Sequence, residues 1–403
     1  MKACGVIVEY NPFHNGHKYH VEEAKKVTNA DCVIAVMSGT FLQRGEPAFI
    51  DPYHRTEAAL ANGVDIVVLL PFFYAVQSSE LFAYGATHTL SELGVSSICF
   101  GSEDGTIDSF NRTYDALQQN EAIYKEMLKI YLDKGFSFPQ AHAAAFTDIQ
   151  PSDRVIDFKQ PNNILGYSYL QQIRKSNLPI QVQTIKRKQS AYHEEKITSP
   201  IASATSIRKQ LLTEDSGEAS IKESMPIESE EALLTYKKKF GKWHEWEAYF
   251  PYIHYRVLSM STDELSRIYT VDEGIEYRIK EMALQANSFA HWMQLIKTKR
   301  YTWSRLQRMF VYILTHVTKE EVASLLHDKP IPYVHLLGMS EKGKNYLNKV
   351  KHDMQVPIHT SFSRKQHVLA SLEERALQSY YSILPPRHQQ IARKQAFSPP
   401  ILT

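Results

Sequence analysis

The chain has 403 residues, 43% hydrophobic and 22% charged, with a formal net charge of +2. This length exceeds one typical core and predicts two domains, while the near-zero charge excludes a global polyelectrolyte and confines any nucleic-acid contact to a local patch. No apolar run approaches the roughly 20 residues that span a bilayer, Met1-Lys2 leads into a strand-like run rather than a signal peptide, and Cys4, Cys32 and Cys99 read as small buried hydrophobes of a reduced, cytoplasmic protein.

The first element, Ala3–Val8, is an apolar run that predicts a strand buried on both faces. A Pro-containing turn follows, and His14-Asn15-Gly16-His17 opens an amphipathic helix over Lys18–Val27. Free backbone N–H groups and the helix dipole at such a junction favour an anion. Gly16 lets backbone approach a ligand closely, and His14 and His17 can donate to phosphate oxygens. Short His/Gly turns also arise by chance. Placement after the first strand and at the first helix favours a nucleotide-binding active site.

Further strands are predicted at Cys32–Met37, Ile66–Leu70, Ser97–Phe100 and Ile180–Ile185, and helices at Pro52–Ala61, Ser78–Leu93 and Asn163–Ser176. Pro52 suits a first helical turn, and Gly63 and Gly94 stand where helices stop. The alternation implies an α/β fold, a Rossmann-like doubly wound parallel sheet with its ligand at the carboxyl ends of the strands. The loop Ser38–Asp51 is long for a compact domain, which marks it as functional or mobile. Ser203-Ala204-Thr205-Ser206-Ile207-Arg208 predicts a second helix N-terminus suited to anions: a hydroxyl caps it, and Arg208 offers a fork that fits phosphate.

Residues 213–231 are rich in Glu, Ser and Asp and read as an acidic linker or mobile loop. This linker separates an α/β, nucleotide-binding region over 1–212 from a mostly α-helical domain over 232–403. Helices there are expected at Ala232–Phe240, Thr262–Ile268, Ile275–Ala286, Phe289–Leu295 and Trp303–His316, with Trp243 and Trp246 in the core. Ala396–Thr403, containing Pro399-Pro400, is expected to be extended or disordered. Lys297, Lys299, Arg300 and Arg305, continued by Arg308, form a candidate nucleic-acid patch on which Tyr301 or Trp303 could stack a base. A solvated helix start with Trp303 in the core accounts for the same residues. Lys237-Lys238-Lys239 is a weaker candidate.

A His-x-Gly-His turn after the first strand, paired with a distal Ser/Thr-rich turn ending in Ile207-Arg208, resembles the HIGH-type nucleotidyltransferase superfamily. The block Met37-Ser38-Gly39-Thr40-Phe41-Leu42-Gln43-Arg44-Gly45-Glu46-Pro47-Ala48 resembles, more closely, the bacterial tRNA(Met) cytidine acetate ligase family. So do Gly63-Val64-Asp65-Ile66-Val67, Leu70-Pro71, Phe100-Gly101-Ser102-Glu103, Pro161-Asn162-Asn163-Ile164-Leu165-Gly166, Arg187 ahead of Tyr192-His193, and Thr298–Leu306. The resemblance spans essentially the whole chain. It departs at Leu69, near which an acidic residue is expected.

This resemblance implies an ATP-dependent ligase that forms acetyl-adenylate from acetate and acetylates the wobble cytidine of elongator tRNA(Met). Catalytic roles fall on His14, His17, Ser203, Thr205 and Arg208. The implied ATP site comprises Ile7, Val8, Glu9, Tyr10, Asn11, Pro12, Phe13, His14, Asn15, Gly16, His17, Lys18, Tyr19, His20, Gly101, Asn162 and Arg187. Mg²⁺ is expected with the triphosphate, although no acidic cluster presents itself as its cage. The Ser38–Asp51 loop would then cover the acyl-adenylate and screen it from water. The implied partners are acetate and tRNA, with no membrane and with a homo-oligomer left open. The alternative is an adenylyltransferase acting on a small phosphorylated coenzyme precursor; a third reading is an inactive RNA-binding or nucleotide-sensing protein.

Overall fold

Every residue of Cys32–Ser38 and Ile66–Leu70 is buried, the environment that an uninterrupted Val/Ile-rich run requires of a strand covered on both faces. The computed structural model describes residues 1–149, 155–187, 203–213, 222–329, 331–361 and 367–403. Strands β1 (Ala3–Val8), β2 (Cys32–Ser38), β3 (Ile66–Leu70), β4 (Ser97–Ser102) and β5 (Gln181–Lys186) pair in parallel in the order β5-β4-β1-β2-β3. Ala3 lies opposite Cys32, and Ile34 opposite Ile66. The direction of winding reverses between β1 and β4, so their carboxyl ends form the switch point at which such sheets bind ligands.

The helices of this half are α1 (Asn15–Thr28), α2 (Pro52–Ala61), α3 (Phe72–Ala75), α4 (Ser79–Glu92), α5 (Ile107–Gln119), α6 (Glu121–Asp133), α7 (Phe138–Asp148), α8 (Pro161–Lys175) and α9 (Ala204–Leu212). The five strands and helices α1, α2, α4 and α8 lie close to their predicted positions; α3 and α5–α7 were not predicted. Helix α6 buries none of its residues, so it lacks a core-facing signal. Gly166 lets α8 lie directly on β4: a Cβ there would sit 2.1 Å from the Phe100 ring.

Beyond residue 222 come α10 (Ile227–Phe240), α11 (Trp246–Ser259), α12 (Thr262–Ser266), α13 (Ile275–Ala283), α14 (Phe289–Ile296), α15 (Trp303–Thr315) and α16 (Lys319–Asp328). Then follow β6 (Val334–Met339), α17 (Glu341–Val350), β7 (Ile358–His359), α18 (Val368–Tyr381), α19 (Pro386–Ala396) and β8 (Ile401–Leu402). Strand β6 pairs antiparallel to β3, and β7 and β8 pair parallel to β6. The later half therefore completes the first sheet, and one cluster of buried residues runs from Ala3 to Ala396.

Three expectations change accordingly. The 232–403 region is mostly helical but shares its core with 1–212. Of the tail expected at Ala396–Thr403 to be extended or disordered, Ala396 ends α19, and Ile401–Leu402 are extended and held as β8. Within 213–231, residues 214–221 lie outside the described residues, yet Met225 and Ser229 are buried and α10 has begun by Ile227. The acid missing beside Leu70-Pro71 arrives from far along the chain: Glu373 Oε2 accepts from Phe72 N–H at 2.5 Å, capping α3.

Asp65 joins the halves most directly. Its carboxylate accepts from Val33 N–H at 2.9 Å and from Ser340 Oγ at 3.2 Å, and its carbonyl accepts from Ser340 N–H at 2.8 Å. All three cysteines are buried in the first half, whereas the four tryptophans (Trp243, Trp246, Trp292 and Trp303) lie in the second. In urea, thiol exposure and tryptophan fluorescence should share one midpoint. Two separated midpoints would mean the halves unfold independently.

Candidate active site

The turn after β1 is organised by its own histidines. His14 is the N-cap of α1: its Nδ1 accepts from Gly16 N–H at 3.0 Å, while His14 N–H donates to His17 Nδ1 at 3.2 Å. A backbone N–H can only donate, so both Nδ1 atoms are unprotonated and each neutral ring carries its proton on Nε2. The rings stack with centroids 3.8 Å apart, and Tyr10 meets His17 edge-on at 4.9 Å. Two imidazolium charges about 4 Å apart would repel by about 4 kcal/mol at an effective dielectric near 20. Burial, with Arg187 and Arg208 adding to it, pushes the His14 pKa from 6.5 down to about 3. Burial and the neighbouring His14 push His17 well down too. The pair is a set of two neutral N–H donors.

The distal turn reaches the first turn at Asn11. Ser203 caps α9 by accepting from Ser206 N–H at 3.1 Å, and Arg208 donates to Asn11 O at 2.8 Å and to Glu46 Oε2 at 3.1 Å. Ser206, not Thr205, is the hydroxyl that meets Ser203, at 3.0 Å; Thr205 is exposed on the first turn. On the other side, Arg187 follows β5 and donates to Asn162 Oδ1 at 3.3 Å, whose amide donates to Glu103 Oε1 at 2.6 Å. A Cβ on Gly101 would lie 3.1 Å from the Arg187 side chain, so a bare backbone here makes room for that arginine. Asn162 is inside α8, not its cap.

The remaining residues of the first turn divide into support and surface. Ile7 and Val8 end β1. Tyr10 and Phe13 are buried beneath the histidines, and Pro12 is buried between them. Asn15 is anchored by donating to Ser224 O and Glu223 O. Lys18 is exposed and Tyr19 half-buried. Burial, then Arg187, lowers His20 to about 4. Among the described residues, Tyr10 Oη, Asn11 Nδ2 and His20 Nε2 are buried without a hydrogen-bond partner, which leaves them able to meet a ligand.

The Ser38–Asp51 loop is packed into the core. Phe41, Leu42, Ala48, Phe49 and Ile50 are buried, and Phe49 N–H donates to Asn11 Oδ1 at 2.7 Å. Arg55, 1% exposed, holds the loop from below. Its guanidinium donates to the carbonyls of Glu9 (2.6 Å), Ser38 (3.0 Å), Gly39, Ile50 and Asp51. Glu9 Oε1 accepts from Gln43 N–H at 2.8 Å. Burial raises the Glu9 pKa, that bond opposes the rise, and Glu46 reinforces it. The loop is a fixed wall whose tip, Gln43 to Glu46, borders the site.

The basic stretch is partly self-satisfied. Arg300 and Arg305 both pair with Glu273, at 3.1 and 3.6 Å. Lys297 donates to Thr298 O, and Lys299 is exposed. Tyr301 is 8% exposed and covered by the Arg305 guanidinium, so it is closed to base stacking, whereas Trp303 is 43% exposed and outside the core. Lys237 lies over the Trp243 ring. Among the described residues no group of three or more His, Cys, Asp or Glu side chains could hold a metal ion, and no helix is long and apolar enough to cross a membrane. Tyr192-His193 lies outside the described residues. Sequence reasoning passed over Arg55, Glu46 as the Arg208 partner, and Glu103. Glu46 and Glu103 both sat in family-like motifs, and Arg55 did not.

A model of the HIGH Nucleotidyl Transferase family matches residues 1–396. A tRNA(Met) cytidine acetate ligase of Oceanobacillus iheyensis is 48% identical over 402 residues, and one of Anoxybacillus flavithermus 44% over 405, each match covering 100% of both chains. Two crystal structures of Thermotoga maritima TmcAL are each 31% identical and cover 100% of this chain. The apo form has a TM-score of 0.91 over 99% of its chain, and the form bound with alpha-thio ATP 0.89 over 100%.

The neutral histidine pair has a stability signature. The unfolded chain takes up a proton at His14 near pH 6.5 that the folded chain refuses until about pH 3, so this stability is present above pH 6.5 and lost as pH falls toward 3. His14→Asn keeps an acceptor for Gly16 but cannot titrate. The acid-side fall in melting temperature should become shallower by one proton's share; an unchanged profile would refute a neutral, buried His14.

Proposed function

The chain belongs to the tRNA(Met) cytidine acetate ligase family of HIGH nucleotidyl transferases, and we propose that it activates acetate with ATP and transfers the acetyl group to the wobble cytidine of elongator tRNA(Met). The observation that carries this reading is the meeting of two anion-binding turns, Arg208 of the second donating to Asn11 O of the first.

In the first step an acetate oxygen attacks the α-phosphorus. The bond to the bridging oxygen of the β-phosphate breaks, and pyrophosphate leaves with that electron pair. His14 and His17 donate Nε2–H to the phosphoryl oxygens as charge builds there, from rings already fixed by their Nδ1 bonds. Arg208 and Arg187 supply the positive charge that the neutral imidazoles lack. The N-terminus of α9, capped by Ser203, adds its dipole, and Thr205 lies in the same turn. The backbone of Gly101, with Asn162, faces the adenosine side. Mg²⁺ would accompany the triphosphate and offset its charge, and among the described residues no His, Cys, Asp or Glu cluster would hold it.

Activation is needed because a free carboxylate has no adequate leaving group. In acetyl-adenylate AMP becomes that group, and the cytidine N4 attacks the acyl carbon, then loses its proton to give N4-acetylcytidine. The base must be unstacked and presented, at a lower cost in an anticodon loop whose bases are already splayed. Residues 1–212 carry the chemistry and 232–403 the tRNA face, where Lys297 and Lys299 are exposed and Arg300 and Arg305 would exchange Glu273 for phosphate.

Acetate-dependent exchange of labelled pyrophosphate into ATP should proceed without tRNA, and nucleoside mass analysis should find N4-acetylcytidine only when tRNA(Met) is added. Arg208→Gln should slow exchange by roughly 10²–10³-fold. A stable dinucleotide formed on a small phosphorylated acceptor, with no acetylated nucleoside, would overturn the reading.

A further inference from the structure

The helical half and the loop wall meet at Gly45 and Arg308. Gly45 has φ +79°, and a Cβ there would lie 2.3 Å from Arg308 N, so only glycine lets the loop press against α15. Across that contact the half-buried Arg308 guanidinium donates to Gln43 O at 3.3 Å, its one hydrogen bond among the described residues, and meets no carboxylate there. The ionisable groups that act on it are the Tyr312 and Tyr269 hydroxyls and the cationic Arg305. Arg300 and Arg305, by contrast, are both committed to Glu273. A partly desolvated guanidinium with most of its five donors unused is a site for an anion.

Position identifies the anion. Gln43, which accepts from Arg308, donates its own N–H to Glu9 at the end of β1, and three residues on Glu46 pairs with Arg208. The loop tip thus has the triphosphate grip on one side and Arg308 on the other. A polynucleotide approaching from the helical half to present one base beside the adenylate brings a backbone phosphate to the second side. We infer that Arg308 binds a backbone phosphate of the tRNA anticodon loop next to the target cytidine, and so positions that base for attack.

This inference rests on the proposed ligase activity, so the parent protein is assayed first; if it does not acetylate tRNA, that activity fails rather than this role. In a working parent, Arg308→Gln keeps a donor for Gln43 O but removes the charge. It should leave acetate-dependent pyrophosphate exchange within about twofold, raise KM for tRNA about tenfold, and lessen the slope of log affinity against log salt by about one. Arg308→Lys should return the salt slope to the parent value. An unchanged KM and slope would overturn the assignment. So would a loss of exchange in Arg308→Lys, which would place the anion site in the adenylation step, or a lysine variant with the glutamine variant's slope, which would make the role one of shape.

Discussion

Two backbone N–H groups, those of His14 and Gly16, each end on an imidazole Nδ1, and the chemistry of the site follows from that choice of acceptor. An ordinary N-cap uses a hydroxyl or carboxylate, which satisfies the helix and stops there. An imidazole does the same work with one nitrogen and keeps a donor on the other. Capping α1 and aiming two N–H groups at an anion become one structural decision. The rings cannot ionise without losing their caps and repelling each other, so they stay neutral donors.

The rest of the catalytic half keeps that turn in place. Arg55 gathers the carbonyls of Glu9, Ser38 and Gly39 at the ends of β1 and β2, and several such bonds are what make a buried guanidinium tolerable. Asn11 reads in two directions, its side chain to Phe49 and its carbonyl to Arg208. Tyr380 from α18 donates to Ala48 O, and His244 N–H to Phe49 O. Helices of the second half therefore touch the wall that borders the phosphate grip. Under the proposed reading, a tRNA seated on those helices would be in mechanical contact with the site.

Much of this could be read from the chain because the signals were local. β1, the histidine turn and α1 are contiguous, and an unbroken apolar run followed by His-x-Gly-His has few other structural uses. The Ser203–Arg208 turn was legible for the same reason. Arg55 was not: in the middle of a helix it has the same letter as a surface arginine, and only the converging strand ends reveal its carbonyl partners. Strand β6, Val-His-Leu-Leu-Gly-Met, is short, and its partner β3 is far away in sequence. The loop Ser38–Asp51 read as functional or mobile from its length, and the burial of Phe41, Phe49 and Ile50 in the core was not legible. The charges of the basic stretch were plain, while their capture by Glu273 depended on a turn the sequence did not disclose.

Everything at the site turns on the histidine pair being neutral rings protonated at Nε2. ¹⁵N NMR on protein labelled in its histidines, with His14 and His17 assigned by substitution, reads this directly at neutral pH. An unprotonated Nδ1 and a protonated Nε2 are expected in both, with the Nε2–H signals moving when ATP is added. Doubly protonated rings, or protons on Nδ1, would contradict it.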